Sequence, residues 1–297
     1  MVPVSIGVAA TDMAEPSHGG DLPGGLEHRG IFERPAASFG LDPRVIGWIQ
    51  ADPANPLNRI ATSIPDGACV LDIGAGNGIL VRLLTAAGRA TILDAVEPDA
   101  AAREFSGHLY REMFACGLED FLQTAPTRAE RYDVIVMADV VEHLANPEPL
   151  LAALKSLLTD GGFIALSTPN IAFASVRLAL LEGRFDYVDS GILERTHLRF
   201  YTRRTLQRLF DTCGLYPLAE YHCVRDALAT EIVLDDQVPS LWLLARLSRD
   251  ELASVYQFLF LLGVKPRKPP ACIRLGSQTN LLLGYVRRRI SRWLRRQ

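Results

Sequence analysis

An acid beside a glycine-rich turn is the feature of this 297-residue chain that most clearly indicates chemistry. The apolar run at residues 70–73 contains Asp72 and leads into Gly74-Ala75-Gly76-Asn77-Gly78, where the missing Cβ atoms let a ligand approach the backbone. Dinucleotide sites space their glycines as Gly-x-Gly-x-x-Gly around a pyrophosphate. Here the third glycine comes one residue early, and Asp72 would repel a phosphate. The pattern therefore predicts a nucleotide-like cofactor that carries a cation or an amine.

Further acids follow later predicted strands. Glu97 comes directly after the strand predicted at 91–96, about 20 residues beyond the glycines, where a carboxylate accepts hydrogen bonds from ribose hydroxyls. Asp139 follows the strand predicted at 132–138. Ligands of parallel α/β sheets lie outside the carboxyl ends of the strands. We therefore expect Asp72, Glu97 and Asp139 to lie along one edge of the sheet.

The elements that would position these acids alternate between strand and helix. Helices are predicted at 79–87, 100–109, 149–158, 172–181 and 203–213, and a further helical stretch, capped by Asp42, at 42–64. A fifth strand is predicted at 162–167, and the apolar run 252–264 is too short to span a bilayer and is predicted as the last core strand. Alternation of this kind predicts a parallel sheet with helices on both faces.

These motifs, in this order, resemble those of the class I S-adenosylmethionine-dependent methyltransferases. The resemblance implies an α/β fold with a seven-stranded, mostly parallel, doubly wound Rossmann-like sheet and helices on both faces. It further implies an antiparallel last strand, a helical insertion after strand 5, and S-adenosyl-L-methionine as the cofactor. The sulfonium and the amino group of that cofactor suit the carboxylate of Asp72.

The resemblance assigns cofactor contacts to the residues that match the family motifs. They are Asp72, Gly74, Ala75, Gly76, Glu97, Pro98, Glu119, Ala138 and Asp139. The family usually has an acid directly after strand 3 that binds the adenine amine, but the matching position near Cys116 is not acidic. Glu119 and Asp120 follow closely, and we predict Glu119 as the adenine contact.

The segment after strand 5 resembles particular groups within this family. It contains Pro169-Asn170, Gly183-Arg184-Phe185-Asp186-Tyr187 and Thr196-His197-Leu198-Arg199-Phe200-Tyr201-Thr202. Together these look like motifs of bacterial methyltransferases associated with surface polysaccharides and O-antigens, and more distantly like ubiquinone-type O-methyltransferases. The resemblance covers residues 45–264 and implies an acceptor hydroxyl on a sugar in polysaccharide biosynthesis.

A hydroxyl acceptor must lose its proton during attack, and histidine is the side chain best matched to accept it at neutral pH. Two of the six histidines lie in segments expected to border the acceptor. His143 closely follows Asp139, and His197 lies in the insertion, where specificity residues concentrate. We predict both as catalytic residues. The alternatives are that His143 buttresses the turn at 139–144 and that backbone groups or Glu194 hold His197.

A metal-binding alternative arises from Asp139, Glu142 and His143. Their i, i+3, i+4 spacing places three side chains on one side of a helical turn. Such a cluster can bind Mg²⁺ and orient a hydroxyl, although histidine is a poor partner for that ion. The other interpretation is that these residues make cofactor and helix-cap contacts, and we predict no metal site.

Composition and the chain ends complete the prediction. The chain is 48% apolar and 22% charged with a net charge of −3, as in a globular enzyme. Its five cysteines lack Cys-x-x-Cys spacing, which favours a reducing cytoplasm. Residues 1–30 show no signal-peptide pattern and are predicted to be disordered. The methyltransferase domain is predicted at 31–264, and a linker with a basic tail at 265–297.

The basic tail has its own predicted partner. From residue 281 onward it combines six arginines with apolar residues at helical spacing and contains no acid. A basic amphipathic helix of this kind lies on anionic membranes, so we expect contact with the inner membrane face. A solvated or protein-binding helix is the alternative. The acidic remainder of the chain argues against a nucleic-acid partner.

We therefore predict an S-adenosylmethionine-dependent methyltransferase that methylates a sugar hydroxyl. Two alternatives stay open: an enzyme that acts on a phenol or quinone-like small molecule, and a cofactor-binding subunit without catalysis. An NAD-dependent sugar oxidoreductase would need a later third glycine and a Tyr-x-x-x-Lys motif. The sequence contains neither.

Overall fold

The structure is a computed structural model that describes residues 44–124, 131–232, 234, 241–266, 268, 270–276 and 284. The chain divides into two compact units, Met1–Glu33 and Arg34–Gln297. The first unit lies outside the described residues, and with it the segment 1–30 that is predicted to be disordered. Apart from Gly284, the predicted basic tail also lies outside them. Every element described below belongs to the second unit.

One mixed β-sheet organises the described residues. Its strands are β1 (Cys69–Ile73), β2 (Ile92–Val96), β3 (Glu112–Phe114), β4 (Tyr132–Ala138), β5 (Leu158–Pro169), β6 (Tyr216–Val224), β7 (Val255–Gly263) and β8 (Cys272–Leu275). They lie in the order β3-β2-β1-β4-β5-β7-β6-β8. The strands from β3 to β5 in this order are parallel, and β7 is antiparallel to both of its neighbours. The predicted doubly wound α/β sheet with an antiparallel last core strand is confirmed.

Helices connect and cover these strands. They are α1 (Arg44–Ala51), α2 (Pro56–Ser63), α3 (Ile79–Ala86), α4 (Ala100–Ser106), α5 (Leu118–Thr124), α6 (Pro147–Leu154), α7 (Ala174–Leu181), α8 (Arg203–Cys213) and α9 (Leu241–Ser248). The helices α3 to α6 each join one parallel strand to the next. Because every crossover returns the chain to the same end of the sheet, the carboxyl ends of β1, β2 and β4 share one edge.

The core lies on both faces of the sheet. Successive residues of β1 point to opposite sides, so Val70 packs with α2 and α3 while Leu71 packs with α6 and α8. The alternating residues of β4 divide in the same way. A third apolar cluster, which we call the insertion core, joins α7 and α9 to the chain before β6 and β7. It contains Phe173, Ala174, Val176, Leu178, Ile192, Leu193, Ala227, Leu244, Leu247 and Ala253.

The N-terminal helical prediction needs a correction. The stretch predicted as one helix at 42–64 is two helices, because Pro53 and Pro56 each lack the amide that an unbroken helix requires. Asn55 begins the second helix, and its side chain accepts a hydrogen bond from the amide of Leu57 at 3.0 Å. The predicted cap, Asp42, lies outside the described residues.

The sheet contains one strand more than the seven predicted. β8 pairs in parallel with β6 and lies in the segment 265–297 that is predicted as a linker with a basic tail. Its residues are largely exposed, so it lacks the apolar alternation that marks a strand in sequence. The short helix α5 after β3 was also not predicted.

The C-terminal half of the insertion matches the prediction closely. Thr202 caps α8 through a capping box with Thr205, and Gly214 ends the helix with a φ of +63°. β7 occupies most of the apolar run predicted as the last core strand. Among the described residues, no helix combines the length and apolarity needed to cross a bilayer.

Candidate functional site

The glycine-rich turn joins the ends of β1 and β2. Gly74, Gly76 and Gly78 have φ values of +73°, +52° and +72°, a region that glycine adopts without strain. A Cβ on Gly74 would lie 2.8 Å from Cγ2 of Val140, so the turn packs tightly against the chain that follows β4. Among the described residues, a Cβ on Gly76 would meet only the carbonyl oxygen of Gly74, at 3.9 Å. The side of the turn at Gly76 is therefore open to a ligand.

Asp72 places a buried carboxyl group behind this turn. Only 4% of Asp72 is exposed, and its Oδ2 accepts a hydrogen bond from the Tyr110 hydroxyl at 2.7 Å. Burial raises the pKa of Asp72 to about 7, the Tyr110 hydrogen bond acts against that rise, and the nearby Glu97 charge adds to it. A cation bound beside Asp72 would supply the counter-charge that this carboxylate lacks.

Glu97 is held at the end of β2 by the two loops around it. Its Oε2 accepts from the amide of Gly76 at 2.8 Å, and its Oε1 accepts from the amide of Asp99 at 2.9 Å. Arg103 donates to the Glu97 carbonyl at 2.9 Å, and Ser106 donates to the Gly76 carbonyl at 2.9 Å. The carboxylate is thus oriented beside the turn, and each oxygen retains acceptor capacity for a hydroxyl.

Asp139 ends β4 in a strained conformation. Its φ of +56° is the only positive φ among the described residues other than glycine. Ser167 on β5 donates to its Oδ1 at 3.0 Å, and Gln257 on β7 donates to the same oxygen. Although Asp139 is exposed, side chains from two neighbouring strands therefore fix its orientation.

The two predicted catalytic histidines lie together. Their ring centroids are 4.8 Å apart with an interplanar angle of 73°. His143 Nδ1 lies 3.1 Å from the Thr196 carbonyl oxygen, and His197 Nδ1 lies 3.0 Å from the Ile192 carbonyl oxygen. A carbonyl can only accept, so each Nδ1 carries a proton, and each neutral ring then has its lone pair on Nε2.

Glu142 lies beneath this histidine pair. It is 1% exposed, and its Oε2 accepts from the Thr168 hydroxyl at 3.0 Å. Its Oε1 is buried without a hydrogen-bond partner among the described residues and lies 4.0 Å from His197 Nε2. Burial, and then the Asp139 charge, raise the pKa of Glu142 well above its ordinary value. The backbone carbonyl of Glu142 also accepts from the amides of Leu198 and Arg199, which ties the insertion to the chain after β4.

The remaining predicted cofactor residues lie around the same edge. Ala75 is buried in the turn, Ala138 is half-buried at the end of β4, and Pro98 is exposed after β2. Glu119 is exposed in the first turn of α5, close behind β3, the strand next to β2. No hydrogen bond in the described part of the chain links Glu119 to the buried acids, so its adenine role stays a prediction.

The three residues considered for Mg²⁺ do not form one cluster. Glu142, His143 and His197 each place a ligand atom within 4.8 Å of the others, whereas Asp139 binds Ser167 and Gln257 instead. One carboxylate and two imidazoles form a poor donor set for an ion that prefers oxygen. The residues present therefore do not fit the magnesium alternative.

Several side chains of the site were not predicted from the sequence. Tyr110, Ser167 and Gln257 contact the predicted residues and were not identified as site residues from the sequence. Glu142 was considered only as a metal ligand, and its Oε1 lies 4.0 Å from His197 Nε2. Gln257 did leave a signal, because it is a lone amide within the apolar strand β7. Tyr110 left none, since its partner Asp72 is 38 residues away in the sequence.

Comparisons with known proteins agree with this arrangement. The family model described as "Methyltransferase domain" matches residues 46–220. The ubiquinone biosynthesis O-methyltransferase of Dinoroseobacter shibae is 32% identical over 179 residues, which cover 58% of this chain and 69% of that protein. The enzyme of the same name from Cereibacter sphaeroides strain ATCC 17025 is 32% identical over 186 residues, covering 60% and 73%.

A solved structure supports the fold. A SAM-dependent methyltransferase from Archaeoglobus fulgidus aligns with a TM-score of 0.52 and 18% sequence identity. The alignment covers 73% of this chain and 93% of that structure. At this level of identity, the likeness concerns the architecture of the sheet and its helices.

Proposed function

The chain belongs to the methyltransferase-domain family as an S-adenosylmethionine-dependent enzyme, and we propose that it methylates a hydroxyl group of a small-molecule acceptor. The observation that carries the proposal is the histidine pair, whose ring centroids lie 4.8 Å apart. His143 follows Asp139 by four residues in the chain, and His197 Nε2 lies 4.0 Å from the buried Glu142. N-methylation of a neutral amine needs no base during attack, whereas a hydroxyl gains from one. Two histidines with fixed ring orientations therefore favour oxygen as the atom that accepts the methyl group.

The cofactor would occupy the edge formed by the turn, Asp72 and Glu97. Bound S-adenosylmethionine supplies a methyl group on a sulfonium. Asp72 offers that positive charge, or the amino group, a buried carboxylate, and Glu97 offers two oriented oxygens to the ribose hydroxyls. The open space at Gly76 lets the ligand lie against the backbone.

His143 would accept the proton of the acceptor hydroxyl. The Thr196 carbonyl fixes the proton on Nδ1, and Thr196 Oγ1 lies 3.2 Å from the same nitrogen while donating to Glu194 at 2.6 Å. The lone pair then belongs to Nε2, which is the acceptor end of the ring. His197 packs edge-on against His143 and restrains its rotation. We therefore assign His143 as the base and His197 as its neighbour that holds the ring.

Two acceptor classes are candidates. The curated relatives are named for ubiquinone biosynthesis, which supports a phenol or quinone-like acceptor. The motifs at 183–187 and 196–202 support a sugar hydroxyl in cell-surface polysaccharide synthesis, because they resemble those of methyltransferases associated with such glycans. Both classes present a hydroxyl, so the role assigned to His143 is the same for either.

The decisive experiment is methyl transfer by a His143→Gln variant. Glutamine keeps a donor near the Thr196 carbonyl but cannot accept the proton, so we expect turnover to fall by about 10²- to 10⁴-fold. Labelled methyl groups would be followed from S-adenosylmethionine to a catechol and to a panel of methyl hexopyranosides. His108→Gln is the matched control, since His108 is exposed in the turn after α4.

Cofactor affinity separates an enzyme from a binding subunit. We expect calorimetry with S-adenosylhomocysteine to give the same affinity for the wild type, His143→Gln and His108→Gln. Loss of turnover with intact affinity supports the role of His143. Turnover within threefold of wild type in the His143 variant would refute it.

A further inference from the structure

Two aromatic rings of the insertion are exposed although the insertion has a core of its own. Phe185 is 37% exposed and Tyr187 is 52% exposed. The insertion core packs ten buried apolar residues without either of them. The stability of the insertion core therefore does not explain why these two rings are aromatic. Exposed aromatic side chains close to a site commonly form a contact surface for a ligand.

The exposed rings continue inward to the histidine pair. The ring centroids of Tyr187 and Phe185 are 5.5 Å apart, and those of Phe185 and Phe200 are 5.5 Å apart. Phe200 lies 6.2 Å from His197, which lies 4.8 Å from His143. Each pair meets edge to face, the arrangement in which aromatic rings attract. The result is a row of rings that leads from the surface to the residue assigned as the base.

Charged side chains flank the exposed end of this row. Arg184 pairs with Asp186 at 2.8 Å, and Arg195 pairs with Asp189 at 2.5 Å. Arg184 and Asp186 alternate in the sequence with Phe185 and Tyr187, and Asp189 follows Tyr187 by two residues. The platform formed by Phe185 and Tyr187 is therefore apolar on its ring faces and polar along its sides.

We propose that the platform of Phe185 and Tyr187 binds a sugar ring of the acceptor at the surface end of the row that leads to His143. A pyranose has an apolar C–H face that covers an aromatic ring and a polar rim that suits flanking charges. A quinone-like acceptor gains most of its binding free energy when it moves from water into an enclosed apolar pocket. A half-exposed platform does not provide such a pocket. This inference rests on the proposed hydroxyl methylation and adds the substrate class and the residues that recognise it.

The test measures acceptor binding without turnover. Wild type, Phe185→Ala, Tyr187→Ala and the double variant would each be saturated with S-adenosylhomocysteine and titrated with methyl hexopyranosides and, separately, with catechol. We expect pyranoside affinity to fall about fivefold in each single variant and at least 20-fold in the double variant. Phe185→Leu keeps apolar volume without a ring and should lose as much affinity as Phe185→Ala.

Controls establish that the effect belongs to the platform. Trp242→Ala removes a ring of α9 that is 70% exposed and lies outside the row, so it should leave pyranoside affinity unchanged. Affinity for S-adenosylhomocysteine should match wild type in every platform variant, and each variant should stay folded at the assay temperature although the lost ring contacts lower its melting temperature. In methylation assays, the platform variants should raise KM for the pyranoside and change kcat less than twofold.

The outcomes separate this inference from the proposed function. Pyranoside affinity within twofold of wild type in the double variant would overturn the platform while leaving hydroxyl methylation standing. Binding and methylation of catechol with no pyranoside bound would overturn the sugar assignment. If the enzyme binds S-adenosylhomocysteine but methylates neither acceptor class, the proposed function fails first.

Discussion

At the scale of single residues, Asp72 should make both stability and cofactor binding depend on pH. Its pKa in the folded protein is about 7, against 3.8 for an ordinary aspartate, chiefly because the carboxyl is buried. A raised carboxyl pKa means that the folded state resists ionisation. Stability contributed by the neutral carboxyl is therefore lost as the pH rises from about 4 to about 7. A bound cation should reverse this effect, because it favours the ionised form.

The variant Asp72→Asn tests this argument with two opposite effects. Asparagine cannot ionise, so at pH 8 the ligand-free variant should be more stable than wild type by on the order of 1–4 kcal/mol. The same variant should bind S-adenosylmethionine at least tenfold more weakly at pH 8. Its affinity should also lack the rise with pH between 6 and 8 that we expect for wild type. Thermal unfolding and calorimetry at both pH values measure the two effects.

The matched control is Asp66→Asn, because Asp66 is an exposed aspartate before β1. It should leave the affinity for S-adenosylmethionine and its pH dependence as in wild type. Equal stability of wild type and Asp72→Asn at pH 8 would show that the buried carboxyl is not destabilising there.

Glu142 makes a second prediction about a buried carboxyl group. Its burial and the nearby Asp139 charge raise its pKa and so favour the neutral form, which glutamine resembles in shape and charge. Glu142→Gln should therefore change the free energy of unfolding by less than about 1 kcal/mol at pH 7. Glu142→Ala should cost about 2–4 kcal/mol, because it leaves the Thr168 hydroxyl unpaired and opens a cavity. Denaturant unfolding measures both, and a loss above 2 kcal/mol in Glu142→Gln would mean that the carboxyl is charged.

At the scale of elements, local signals were predictable and long-range pairing was not. The limits of α8 follow from Thr202 and Gly214, which act within one turn of the helix ends. β8 was missed because its only described strand partner is the distant β6, where Glu220 pairs with Cys272. The residues of β8 are also largely exposed and lack an apolar pattern. Helix α5 has seven residues and too few turns to show a period.

In the candidate site, too, the positions fixed by sheet topology were predictable and the long-range contacts were not. Asp72, Glu97 and Asp139 were placed on one edge because the topology of a parallel sheet fixes where strands end. The meeting of His143 with His197 was not predictable in detail, since the contact depends on how the insertion folds back. Gln257 reaches Asp139 across 118 positions of sequence, and only the antiparallel pairing of β7 with β5 brings the two together.

This pairing predicts that the last core strand supports cofactor binding. Gln257→Leu removes the amide that donates to Asp139 Oδ1 and leaves the strained φ of Asp139 less restrained. We expect S-adenosylhomocysteine affinity to fall about fivefold to 20-fold and stability to fall by about 1–3 kcal/mol. Calorimetry and denaturant unfolding provide the two measurements.

Gln207→Leu is the comparison variant for this test. Gln207 donates to Asp211 at 2.9 Å on the exposed side of α8, so its loss removes the same type of hydrogen bond away from the site. It should change stability by less than about 0.5 kcal/mol and leave cofactor affinity as in wild type. Equal affinity in Gln257→Leu and wild type would show that Asp139 needs no support from β7.

At the scale of the whole molecule, the site depends on distant parts of the chain that converge on one edge. The predicted cofactor acids lie on β1 and directly after β2, Asp139 follows β4, Gln257 lies on β7, and His197 lies in the insertion. The insertion core itself combines the segments before β6 and before β7. Methyl transfer gains most from fixed relative positions of donor and acceptor, so this convergence suits the chemistry.

The basic tail carries the last prediction. Removing residues 277–297 leaves β8, which ends at Leu275, and so should preserve the fold, whereas a cut after residue 270 would remove that strand. Each arginine near an anionic surface contributes about 1 kcal/mol, so the full chain should bind phosphatidylglycerol vesicles and the truncated chain should not. Cosedimentation at low and high salt measures this binding, which salt should weaken. Replacing the six tail arginines with lysine should retain binding to the vesicles, whereas replacing them with glutamine should abolish it. Equal sedimentation of the full-length and truncated proteins would contradict the membrane role.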